Sequence, residues 1–353
     1  MYSEQDLRDA VSAGAISEEA AEALRSHVAR LRAMPAVDEE NFRLVNSFND
    51  IFVTIAAVLL LVAMGGIGGF IAPGVGGLLV AASAWGMAEF FTRRRRMALP
   101  SIVLLLAFVG GIIAAGSVIL TLGTMSQLFD ARISVLLGSA VFIVGAVGAW
   151  LHWRRFKVPI TVAAGAATLA GCLIALIIGA VGPETDGIFQ FVILPLVFIA
   201  GLAVFAYAMW WDMSDRTRQT RRSDVAFWLH LLAAPLIAHP LFQWLGVLDG
   251  ETVGIGGALL VLLVYLTFGL VALAVDRRAL LVSALGYVLY ALGSLFDEFG
   301  AVGLSVSLTA LVIGSGLLML SALWSNTRAA LLVRIPDALR HRLPQSEPSL
   351  PPA

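Results

Sequence analysis

The chain has 353 residues, 59% hydrophobic and 13% charged, with a mean hydropathy of +0.90; soluble domains run about 45–50% apolar and about 25% charged. That balance excludes a soluble core and a disordered chain, and 23 basic against 24 acidic residues leave no excess for nucleic acid. A single cysteine, Cys172, excludes an intrachain disulfide and a multi-cysteine metal site. What remains is an all-α, polytopic membrane protein.

Residues 1–33 read as a small cytosolic helical hairpin. Ser3 can cap a first helix, and Gly14 stands where a helix-ending glycine belongs. Ser17 followed by Glu18, Glu19 and Ala20 opens a second helix with Leu24, Val28 and Leu31 on one face. A piece this small must dock. It lies on its own membrane domain, or it binds a protein partner or a second copy through residues 3–33. Residues 34–50 form an acidic linker and the entry to the first span, with Pro35 ending the hairpin.

A spanning helix needs roughly 20 mostly apolar residues. Ten segments qualify between 51 and 324: about 51–71, 74–92, 99–121, 133–153, 158–180, 188–211, 225–248, 253–275, 279–296 and 301–324. Runs such as IFVTIAAVLLLVAM lack the alternation of a membrane barrel strand. The first span follows a polar stretch and acts as an uncleaved anchor.

Every second junction is basic: Arg93 to Arg96, then Arg154, Arg155 and Lys157, then Arg216, Arg218, Arg221 and Arg222, then Arg277 and Arg278. The remaining basic residues lie in the two ends of the chain, except Arg132, which alone falls in the other set of loops. Those loops carry Asp130, Glu184, Asp186, Asp249, Glu251, Asp297 and Glu298. The positive-inside rule then puts both termini in the cytoplasm, as an even span count requires. Beyond the spans, residues 325–353 form a cytosolic tail. Its stretch 326–343, with Arg328, Arg334, Arg340 and Arg342, suits a helix in the headgroup region.

The hairpin motif AGAISEEAAEAL, carried by Gly14, Ile16, Ser17, Glu19 and Ala20, resembles the start of a bacterial family of multi-spanning membrane proteins classed as a domain of unknown function. The resemblance implies a multi-pass protein of the bacterial plasma (inner) membrane. It implies no activity and no catalytic residues.

Glycines 65, 66, 68, 69, 74, 76 and 77 crowd the first external turn; no GK[ST] follows, and close helix packing is the reading preferred over a phosphate loop. Ionisable groups at membrane depth are costly, so each is a functional candidate. Glu89 is the carboxylate inside an expected span, four residues before Arg93 at ion-pairing spacing. The seventh span holds His230, His239 and Gln243 together with Pro235 and Pro240. His239 and Gln243 share a face, whereas His230 points away from His239 on a straight helix. Counted from Val225, His239 lies about 21 Å into the span, past the midplane.

His239, Gln243, His230 and Glu89 are therefore the candidate substrate-contacting residues. No catalytic residue, metal site or cofactor is expected: neither an HExxH nor a G-x-S-x-G motif occurs. The leading reading is transport of a small uncharged or weakly charged molecule of unknown identity across the lipid bilayer. The alternative is a membrane scaffold or sensor acting through the N-terminal hairpin. A lipid-modifying enzyme comes third. A polar cavity at the midplane would favour transport; a solid apolar bundle would favour the scaffold.

Overall fold

The computed structural model of the chain describes residues 10–24, 48–216, 218, 220–247, 255–298, 304–340 and 343–344. Among them every regular element is helical. The chain divides into two units, Met1–Arg43 and Leu44–Ala353.

In the first unit, helical turns at 10–12 and 18–24 flank a bend where Gly14 takes a φ of +70°. A residue with a Cβ adopts that conformation only at a cost. The Ser17 hydroxyl accepts the backbone N–H of Ala20 at 3.1 Å, capping the second helix. The expected Ser3 cap, the Val28 and Leu31 face and most of the linker lie outside the described residues.

The second unit begins with α1 (Phe48–Ile71), α2 (Val75–Ala88), α3 (Ala98–Met125), α4 (Ala131–Phe156) and α5 (Ile160–Val181). It continues with α6 (Leu194–Ser214), α7 (Arg221–Trp244), α8 (Ile255–Val275), α9 (Ala279–Glu298), α10 (Ser305–Ala322), α11 (Trp324–Leu332) and the short α12 (Asp337–Arg340). α2 runs on through a π-helical turn, Glu89–Arg94, and another, Phe189–Ile193, leads into α6. Local chemistry sets several starts. Asp130 accepts the N–H of Ile133 ahead of α4, Thr220 accepts that of Arg222 ahead of α7, and Pro195 occupies the first turn of α6.

Among the described residues, eight helices are long and apolar enough to cross a bilayer. They coincide with the first eight expected segments. The ninth falls on α9, whose described apolar stretch, Ala284–Gly293, is shorter than a bilayer requires. The tenth falls on α10, joined to α11 through a 70° bend; counting that pair as one span gives nine.

Neighbours in sequence pack as neighbours in space along α1 to α5, and α7 lies against α5, α6 and α9. Half of the apolar window of α7 is buried, against 17–33% in the other seven of these eight, so α7 is the most buried of them. The junctions α2–α3, α4–α5, α6–α7 and α8–α9 share one end of the bundle, called here the junction end.

The glycines of the first turn serve packing. A Cβ at Gly76 would stand 2.5 Å from the Gly65 carbonyl oxygen, and one at Gly77 would stand 2.5 Å from that of Gly111. Backbones this close admit no side chain, the use of small residues by membrane helices that lack a hydrophobic driving force between them. Cys172 is free and buried in α5.

Candidate functional site

Helix α7 begins at Arg221, four residues before the expected first residue, because Thr220 caps it there. His239 lies about 27 Å along the helix from that start. His230 lies about 14 Å from the start. Both prolines are accommodated within the helix. Gly201 of α6 abuts the turn that Pro240 loosens: a Cβ there would come within 2.9 Å of the Leu236 carbonyl carbon.

The four expected residues fall in three places. His239 is half-buried and its Nδ1 pairs with the Tyr287 hydroxyl of α9 at 3.0 Å. Gln243, one turn on, is also half-buried. Tyr287 in turn stacks on Phe242 with ring centroids 4.5 Å apart. His230 turns to the other side of α7, as its spacing from His239 requires, and meets α6. Glu89 lies at the junction end, where Arg155 of α4 grips both its oxygens at 2.7 and 3.0 Å and Arg93 adds a contact at 3.2 Å.

His230 belongs to a buried ionic cluster. Asp212, at the junction end of α6, is 1% exposed. Its Oδ2 lies 2.8 Å from His230 Nε2, and its Oδ1 accepts Arg277 Nη2 at 2.5 Å. The same Arg277 nitrogen donates to the carbonyl and hydroxyl oxygens of Ser223 at 3.1 Å each. Arg277 is 2% exposed and sits in the turn between α8 and α9. One guanidinium thus ties α6, α7 and the α8–α9 turn together. An ionised carboxylate only accepts, so His230 donates through Nε2, and in the neutral ring Nδ1 is then an acceptor. That Nδ1 is buried and has no hydrogen-bond partner among the described residues.

A second buried carboxylate adjoins it. Asp276, in the left-handed region at φ +61°, accepts Arg218 Nη1 at 2.9 Å and Trp324 Nε1 at 2.8 Å, with Arg328 Nε 3.5 Å away. Arg328 also donates to the carbonyls of Leu273 and Pro344, and Arg216 to that of Leu343. These contacts fasten α11 and the start of the tail over the junction end. The basic tail residue Arg328 is therefore buried, not spread on the headgroups as its sequence pattern suggests. Burial, and then the nearby Arg277 guanidinium, pull the Arg218 pKa below its ordinary value.

Sequence reasoning missed Asp212, Ser223, Arg277, Asp276, Arg218, Trp324 and Tyr287. A signal existed: Asp212 and Asp215 precede Arg216 and Arg218, and Asp276 directly precedes Arg277. Read for sign alone, these junctions look basic; read for pairing, they carry both partners.

Two clefts open on the helix surfaces. One, of about 510 Å³, lies among α4, α5 and α6; the other, of about 560 Å³, lies among α1, α2 and α3 beside the glycine-rich turn. Neither is lined by α7. Among the described residues no group of three His, Cys, Asp or Glu side chains is placed to hold a metal ion. No family model, curated protein or solved structure matches the chain.

Proposed function

We propose that this integral membrane protein transports a small uncharged or weakly charged molecule, with α7 lining the route. One observation carries the reading. The most enclosed of the eight long apolar helices is also the one that holds His230, His239, Gln243 and two internal prolines. Apolar residues would fill an interior helix at lower cost, and polar groups at depth mark substrate or proton pathways. His239 and Gln243, with Tyr287 across from them, contact cargo by hydrogen bonding in this reading. His230 serves as a proton-accepting neighbour through Nδ1. Glu89 joins α2 to α4 and does not touch cargo. The one-sided basic residues support a bacterial inner membrane with ten spans and both termini in the cytoplasm.

The test is solute permeability. Vesicles containing the purified chain are mixed with hyperosmotic glycerol, urea or sorbitol, and reswelling is followed by stopped-flow light scattering. At least one solute should enter faster than into protein-free vesicles, and the double variant His239→Ala/Gln243→Ala should remove most of that excess. Permeability equal to protein-free vesicles for all three would overturn the reading.

A scaffold or sensor acting through residues 3–33, without catalysis, is the second reading. It is favoured by the division of the chain at Arg43 into two units. Deleting residues 1–33 separates the two, because transport through α7 survives that deletion.

A further inference from the structure

The cleft among α4, α5 and α6 has a built shape. Its floor is made of small residues, Ala149, Gly165, Ala166 and Ala203, so the space exists because no large side chain enters it. Along α6 it runs from Trp211 near the junction end to Ala200. Eleven residues of helix cover about 16 Å, close to half of a hydrocarbon core about 30 Å thick. The cleft is thus an apolar trough one leaflet deep.

Its junction end is charged. The Arg154 guanidinium lies 5.0 Å over the ring of Trp150, and the Lys157 ammonium lies 5.2 Å over that of Trp153; both tryptophans line the cleft. Both cations are exposed. Neither has a carboxylate partner among the described residues, whereas Arg155 between them is neutralised by Glu89. Cation–π contacts hold the two charges at the mouth of the trough without neutralising them.

We propose that this cleft holds one acyl chain of an anionic phospholipid, with the headgroup phosphate against Arg154 and Lys157. An acyl chain matches the apolar lining and the one-leaflet depth, and a phosphate supplies the counter-charge that the protein leaves out. Basic pockets between helices on the cytoplasmic side bind such headgroups, and the anionic lipids that would fill them enrich that leaflet. The site is independent of transport through α7.

Native mass spectrometry of the detergent-purified full chain tests it, with dioleoyl phosphatidylglycerol and dioleoyl phosphatidylcholine as the probes. Phosphatidylglycerol should bind more tightly, and Arg154→Gln/Lys157→Gln should weaken it about 25-fold at low salt, about fivefold per cation, with little effect on phosphatidylcholine. Ala166→Phe should lower binding of both lipids. If that variant does not fold, Ala203→Leu fills the trough from the opposite helix and is read the same way. Equal binding of the two lipids by the unaltered chain would overturn the proposal. So would an anionic preference that survives Arg154→Gln/Lys157→Gln but falls in Arg94→Gln/Arg95→Gln, or lipid binding that a folded, filled trough leaves unchanged.

Discussion

In the first three helices, backbones meet directly: Gly65 against Gly76, and Gly77 against Gly111, with Ala57, Leu61, Ala84, Ala88 and Leu104 buried beside them. Around α7 close packing, as of Gly201 against Leu236, is joined by charge at the junction end, with Arg277 on Asp212 and Ser223, and Arg218 and Trp324 on Asp276. Small residues yield close van der Waals contact and leave nothing to rearrange. Buried ion pairs add little net stability over apolar packing, but removing one partner is strongly destabilising.

The largest effect should come from unpairing the cluster. Arg277→Ala leaves the buried Asp212 carboxylate beside His230 alone, at a cost of about 3–5 kcal/mol. Equilibrium unfolding in detergent with increasing dodecyl sulfate measures it. The pair Asp212→Asn with Arg277→Leu should recover most of that loss, since no charge then remains unpaired. If the double variant is as unstable as Arg277→Ala, the cluster is held by packing and the contrast between the two regions fails.

Next comes the glycine seam. Gly77→Leu forces a side chain against the backbone of Gly111 and should destabilise by about 1–3 kcal/mol in the same titration. The smallest change sharpens the comparison. Gly66→Ala places a Cβ where nothing lies within 4 Å, so its unfolding curve should overlay that of the unaltered chain or move slightly upward. A large loss at Gly66 would mean that the seam is wider than Gly65, Gly76, Gly77 and Gly111.

The helical membrane character and eight of the spans were legible because apolar runs of about 20 residues leave no other structure in lipid. Facing was legible too. Nine residues separate His230 from His239, and the two side chains meet different helices. The pairing of charges was not. Arg277 lies 65 positions from Asp212, and Asp276 lies 58 from Arg218 and 48 from Trp324; only the fold brings them together. Arg132 shows the same limit on the other side of the bundle. As the basic exception among the acidic loops it looks anomalous, yet it donates to the carbonyls of Gly179 and Ala180 at the end of α5, the C-terminal capping that cations favour. The start of α7 was misplaced for a local reason: Thr220 caps the helix one turn ahead of Val225.

The claim that α7 lines an aqueous route is tested most directly by cysteine accessibility along it. In a Cys172→Ser background, single cysteines at positions 238, 239, 242 and 243 are exposed to a water-soluble, membrane-impermeant maleimide in sealed vesicles. The account predicts labelling at 239 and 243 and protection at 238 and 242, whose side chains are fully buried. Protection at all four positions, with a loop cysteine labelled as control, would contradict it.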